Sequence, residues 1–158
     1  MGDALSAIKV KKVPSFKAYE IISRLSLFSD LLPDEIRILS DNQQIFYQIP
    51  AGEIFIRQGE VENNFYLLLS GSAKVVRDRK EFDQLCAGDV IGVCGLVRDA
   101  PRTASVVAES NIFAMRMSRK QFRRLPGKMR ELIKDHMMEE LVRRIDSLNE
   151  QLYFCQQQ

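Results

Sequence analysis

Eight short runs rich in Ile, Val, Leu, Phe and Tyr lie between residues 45 and 117. They cover 45–48, 54–57, 65–70, 73–76, 82–85, 89–91, 103–108 and 112–117. Glycines 52, 59, 71 and 88 punctuate them where the chain must reverse. Eight short strands at this spacing predict a β-sandwich or jelly-roll barrel. The last run alternates with period two, placing Phe113, Met115 and Met117 on one face and Arg116 on the other.

Helical patterns flank the strands. Phe16, Tyr19, Ile22, Leu25 and Leu27 recur at broadly helical spacing within 15–31. A second short helix is expected to start at Pro33, with Asp34 and Glu35 in its first turn, where the helix dipole favours acids. After Met117 the chain reads as helix to its end, broken at Pro126-Gly127 into a short piece and one of roughly 28 residues, on the order of 40 Å. That dipeptide is either a hinge or an ordinary turn. Met129, Leu132, Ile133 and Met137 should pack this helix on the barrel. Beyond them Met138, Leu141, Ile145, Leu148, Leu152 and Cys155 form a narrow heptad seam. Leu141, Ile145, Leu148 and Leu152 are therefore expected to join two copies as a homodimer. The domain plan is a flexible leader at 1–14 and one domain at 15–158. That domain divides into N-terminal helices (15–44), a β-roll (45–117) and C-terminal helices (118–158).

Composition removes several function classes. The 23 basic and 21 acidic residues leave a net charge of +2, unlike a strongly basic nucleic-acid binder. No uncharged stretch approaches the ~20 residues of a membrane span. Cys86, Cys94 and Cys155 lack the spacing of a disulfide framework or zinc site, and His136 is the one histidine. Metal and Ser/His or Cys/His chemistry are thereby disfavoured, no nucleophile–base pair is visible, and an enzyme is not expected. A reducing, cytoplasmic setting is expected. Met1-Gly2-Asp3-Ala4-Leu5-Ser6, followed by Lys9, Lys11 and Lys12, fits the loose pattern for N-myristoylation beside a basic cluster. An unstructured leader is the preferred reading, and membrane attachment is not expected. From Arg116 to Arg130 there are seven basic residues and no acid, a block suited to an acidic partner or simply a solvated face.

The chemistry-bearing stretch is Gly88-Asp89-Val90-Ile91-Gly92-Val93-Cys94-Gly95-Leu96, followed by Pro101-Arg102-Thr103-Ala104. A glycine-rich turn into a short helix, joined by an arginine, can bind an anion. Amides point at the ligand and the guanidinium fork matches phosphate oxygens. Arg102 precedes an apolar strand, where an unpaired charge is costly. Its alternative role is a salt bridge to a loop carboxylate.

These residues resemble the cyclic-nucleotide-binding domain family. The resemblance is carried by Ile49-Pro50-Ala51-Gly52-Glu53-Ile54-Phe55-Ile56-Arg57-Gln58-Gly59-Glu60 and by Phe65-Tyr66-Leu67-Leu68-Leu69-Ser70-Gly71. Gly88–Gly92 and Pro101–Val106 complete it, over about residues 25–145. The family includes catabolite activator proteins, protein kinase A regulatory subunits and cyclic-nucleotide-gated channels. It implies a mainly β fold, a double-stranded jelly roll or β-roll with N-terminal helices and a long C-terminal helix. It also implies that Arg102 neutralises a cyclic phosphate. Gly92, Val93, Cys94 and Gly95 would supply the short phosphate-binding helix, with Thr103 and Ala104 lining the same oxygens. The departure is Val93, where the family places a glutamate that accepts from the ribose 2′-hydroxyl. Losing a bond of that kind costs about 1.5–3 kcal/mol. The implied ligand is a small anion: cAMP, cGMP or another phosphorylated small molecule. A member without nucleotide binding would act as a protein-interaction or dimerisation module. Transcription activators of the family carry a helix-turn-helix after the long helix. The sequence given holds none, so direct DNA binding is not expected.

Overall fold

The structure, a computed structural model, describes residues 13–158. Eight strands form two four-stranded sheets in which all neighbours are antiparallel. In chain order they are β1 (Phe46–Ile49), β2 (Ile54–Ile56), β3 (Asn64–Ser70), β4 (Ala73–Arg77), β5 (Lys80–Leu85), β6 (Val90–Ile91), β7 (Ser105–Ala108) and β8 (Ile112–Ser118). One sheet has the order β1-β8-β3-β6 and the other β2-β7-β4-β5. The helices are α1 (Ser15–Ser23), α2 (Pro33–Ser40), α3 (Cys94–Val97), α4 (Arg119–Arg123) and α5 (Gly127–Gln156). This is the predicted β-roll with flanking helices.

Period-two alternation splits the first sheet between two cores. Phe65 and Leu67 of β3, with Phe113, Met115 and Met117 of β8, face the helices. There they meet Ile22 of α1, Leu39 of α2 and Met129, Ile133 and Met137 of α5. The intervening Tyr66, Leu68, Ile112 and Ala114 face the second sheet and pack on Phe55, Ile56, Val106 and Ala108. The layers are therefore helices, inner sheet and outer sheet. Strands buried on both faces need continuous apolar sequence, as Phe65-Tyr66-Leu67-Leu68-Leu69 supplies. Gly71 turns β3 into β4 at φ +88°, where a Cβ would lie 2.5 Å from the Asn111 carbonyl oxygen.

Two boundaries differ from expectation. The helical run predicted through 31 stops at Ser23, because Leu25 is extended (φ −81°, ψ 128°). A 3₁₀ turn at Ser26–Phe28 then drives Phe28 into the core. Val13, assigned to the flexible leader, is buried in the helix-side core. Residues 1–12 of that leader, including the Gly2 acylation pattern, lie outside the described residues. At the other end Leu125 is buried between α4 and α5, so Pro126-Gly127 forms a turn anchored on its N-terminal side.

Several cations of the basic block have partners, and Arg119, Arg123 and Arg130 line one groove. Arg119 pairs with Asp99 at 3.7 Å, Lys128 with Glu35 at 2.9 Å, and Arg130 donates to the Arg123 carbonyl at 3.2 Å. The Leu32 amide and Lys128 hold the Glu35 carboxyl below its usual range. The tie between α2 and α5 is thus present at neutral pH and lost as pH falls through that lowered value.

Helix α5 changes character along its length. Met129, Ile133 and Met137 are buried, whereas Ile145, Leu148 and Leu152 are each more than half exposed. Docking rests on the first three turns. Ile133→Ala should therefore lower unfolding stability by about 2–4 kcal/mol in urea titrations, whereas Glu131→Ala on the exposed side should stay within about 0.5 kcal/mol.

Candidate functional site

The site is built where two loops are zipped together. The Gly59 amide donates to the Arg102 carbonyl and the Arg102 amide to the Glu60 carbonyl, both at 2.8 Å. Val61 and Pro101 form an antiparallel bridge beside them, and the Gln58 amide donates to Ser105 Oγ at 2.9 Å. Gly59 takes φ +87°, so the β2–β3 loop can turn back against residues 101–102. These bonds fix the Arg102 backbone and leave its side chain to point inward.

The Arg102 side chain is only 8% exposed. Its Nη2 donates to the Asn64 backbone carbonyl and lies 3.8 Å from Glu62 Oε2. Its buried Nε finds no hydrogen-bond partner among the described residues. The guanidinium rests against Gly92, where a Cβ would approach Nη1 to 2.3 Å. Gly92 also has φ +81°, a backbone conformation that favours glycine. The structure thus brings Gly92 and Arg102 into direct contact, and the salt bridge considered as Arg102's alternative role is present with Glu62.

The remaining cassette residues diverge in direction. Val93 stands at the start of α3 with helical angles (φ −55°, ψ −33°) and packs with Leu96 against the helix-side core. It lines a groove of about 620 Å³ with Phe122 of α4 and Met137 of α5. Cys94 and Thr103 are exposed and Ala104 is buried. Leu141, Ile145, Leu148 and Leu152 lie on α5, beyond its docked turns.

Helix α5 also grips the segment that leads into the cassette. His136 Nε2 donates to the Gly88 carbonyl at 2.5 Å, and Arg144 donates to the Val90 carbonyl at 3.3 Å. Gly88 and Val90 precede Gly92 by four and two residues, so both bonds hold the strand that leads into the Gly92 turn. The Cys86 amide meanwhile donates to Asp89 at 2.8 Å, and that charge raises the Cys86 thiol above its usual range. Among the described residues no group of three His, Cys, Asp or Glu side chains is placed to hold a metal ion, and no helix is long and apolar enough to cross a membrane.

Sequence reasoning did not identify Glu62, Asn64 or Tyr66 as site residues. Glu62 Oε1 accepts from Tyr66 Oη at 3.1 Å, Asn64 Nδ2 at 3.1 Å and Arg116 Nη2 at 3.2 Å. Arg116, counted within the basic block, is only 11% exposed and sits 5.5 Å from the Tyr47 ring centroid. The available signal was its strand phase. Arg116 shares the face of Ile112 and Ala114, which meets the second sheet, and a charge there needs a buried partner.

With this geometry established, comparison with known proteins places the chain. A profile of the cyclic nucleotide-binding domain matches residues 47–128, just over half of its length. The cAMP-dependent protein kinase regulatory subunit of Hypocrea atroviridis is 31% identical over 119 residues, 75% of this chain and 26% of that protein. The chain thus spans about a quarter of that relative's length. A cyclic nucleotide-binding domain from Methylobacillus flagellatus superposes with a TM-score of 0.69 at 22% identity, covering 88% of this chain and 82% of that one. The Thermus thermophilus catabolite activator protein gives 0.66 at 24% identity, covering 82% and 62%. The last two likenesses concern the fold. The match over residues 47–128, together with the Gly92–Arg102 contact at the center of the roll's loop cluster, makes this chain a member of the cyclic nucleotide-binding domain family.

Proposed function

We propose that the chain is a non-enzymatic regulatory domain of the cytoplasm that binds a small phosphorylated anion at Arg102. The supporting observation is Arg102 itself, held 92% buried against Gly92 with an Nε that lacks a partner among the described residues. The enclosed charge suits a phosphate, because a guanidinium offers its donors in a planar fork. The relatives are named for cAMP- and cGMP-dependent kinases, which makes a cyclic nucleotide the first ligand to try. Gly92, Cys94, Gly95, Thr103 and Ala104 complete the proposed phosphate cassette. Val93 leaves the ribose hydroxyl without its acceptor.

The output is a population shift of α5. A ligand that moves the Gly92 turn strains or relaxes the His136–Gly88 and Arg144–Val90 bonds, so it binds the two positions of α5 unequally. The distal seam then carries the change to a second copy, through Leu141, Ile145, Leu148 and Leu152. Their exposure beyond the roll supports this interface. Val93 favours a second reading, a protein-interaction module without a nucleotide, because its side chain packs against the helix-side core and offers no acceptor to a ribose. A thermal-shift panel of cyclic and linear nucleotides separates the two readings. A ligand at 100 times its Kd stabilises by about 2.7 kcal/mol, and the second reading expects no response.

Three outcomes follow from the first reading. Arg102→Ala should weaken the best nucleotide by about 2–5 kcal/mol in calorimetry, and unchanged affinity in the folded variant places the site elsewhere. Val93→Glu should tighten cAMP by about 10-fold or more, since it restores a charged acceptor for the 2′-hydroxyl. Tight wild-type binding, or no gain in the folded variant, contradicts that account of Val93. For the helix seam, light scattering over a concentration series should show a wild-type dimer and an Ile145→Glu monomer, because two facing carboxylates would be desolvated together. A wild-type monomer at high micromolar concentration rejects the dimer, and a dimeric variant rejects this interface.

A further inference from the structure

Glu62 is held more firmly than a loop carboxylate needs to be. Its side chain is 11% exposed, and Oε1 alone accepts from Tyr66, Asn64 and Arg116. Burial, and then the Glu62 charge, push the Tyr66 hydroxyl above its ordinary range, so it stays a donor. Swinging the carboxylate away would strand these donors in a buried place, which costs more than the bonds are worth singly. Oε2 is thereby fixed 3.8 Å from Arg102 Nη2. Any anion that binds Arg102 must share the guanidinium with a permanent negative charge.

We propose that Glu62 is a charge filter on the Arg102 site, favouring monoanionic phosphodiesters over dianionic phosphomonoesters. The proposal rests on the phosphate-binding reading above and adds what sets its ligand class. Coulomb energy is linear in ligand charge, so repulsion from Glu62 is twice as large for a dianion. A cyclic 3′,5′-phosphate carries one charge. A terminal phosphomonoester, with a second pKa of about 6, carries nearly two at pH 8. Arg102 alone would attract the dianion more strongly. Arg102 beside Glu62 has part of its field already neutralised, and that advantage is reduced. With Val93 in place of a ribose acceptor, phosphate charge takes a larger share of the discrimination.

The test is calorimetry at pH 8 with cAMP and 5′-AMP on the wild type, Glu62→Gln and Glu62→Asp. Glutamine removes the charge but keeps an oxygen acceptor for Tyr66 and Asn64. The expected gains are about tenfold for cAMP and about hundredfold for 5′-AMP, narrowing the preference for the cyclic ligand about tenfold. Glu62→Asp keeps the charge and should keep the wild-type preference. The different shapes of the two ligands cancel in this comparison. Glu62→Ala, which removes the charge by truncation, should give the same narrowing and serves if the glutamine variant does not fold. Equal gains for both nucleotides, or no change, overturn the filter and leave the phosphate site standing. A parallel loss for both shows that Glu62 only holds Arg102, and also overturns it. Binding of neither nucleotide to any variant removes the phosphate-site reading, and the filter falls with it.

Discussion

The structure depends on an inner sheet that is apolar on both faces. Strands β3 and β8 lie at its centre, and each sends alternate side chains to the helices and to the outer sheet. One sheet therefore nucleates two cores, which is how a chain of 158 residues supports three layers. The stacked Phe46–Phe113 pair, with ring centroids 5.7 Å apart, belongs to the helix-side core, and the Phe55–Tyr66 edge contact at 5.5 Å belongs to the inter-sheet core. Such aromatic pairs add about 0.5–1.5 kcal/mol each beyond their buried area. Every functional feature is placed relative to these two strands.

A cluster of polar groups enters this apolar frame at one end. Tyr66 and Arg116 occupy inter-sheet positions on β3 and β8, at a register where they pair directly. They reach Glu62 and, through it, Arg102, so the cassette arginine is wired into the center of the inner sheet. A buried ion cluster of this kind contributes little net stability, because desolvation offsets the Coulomb attraction, but it demands one arrangement of its members.

The long C-terminal helix is attached differently. Helix α5 is docked by Met129, Ile133 and Met137, then held to the cassette's lead-in segment by hydrogen bonds from His136 and Arg144. Val93 and Leu96 add apolar contact between α3 and this side of the molecule. The valine thus has a packing role in the place where the family resemblance expects a ligand contact.

Much of this was written in local pattern. Short β-rich runs between glycines located all eight strands to within about two residues, because strand phase and turn chemistry are properties of neighbouring residues. The same holds for Pro33 at the first turn of α2 and for the break before Gly127. The Gly92–Arg102 pair was legible through family resemblance, since both its residues sit in one short stretch. Glu62, Asn64 and Tyr66 were not, because their meeting with Arg102 spans 36 to 40 residues and exists only when the two loops are zipped. The orientation of Val93 and the burial of Val13 were equally invisible, as a half-buried apolar side chain has no local signature of which face it takes. Sequence alone therefore determined the strands and the starts of α2 and α5, which short-range sterics and periodicity set, while the resemblance to a family singled out Arg102. Tertiary structure decided which carboxylate faces that arginine and where α5 leaves the roll, because both follow from long-range contacts that no local pattern encodes.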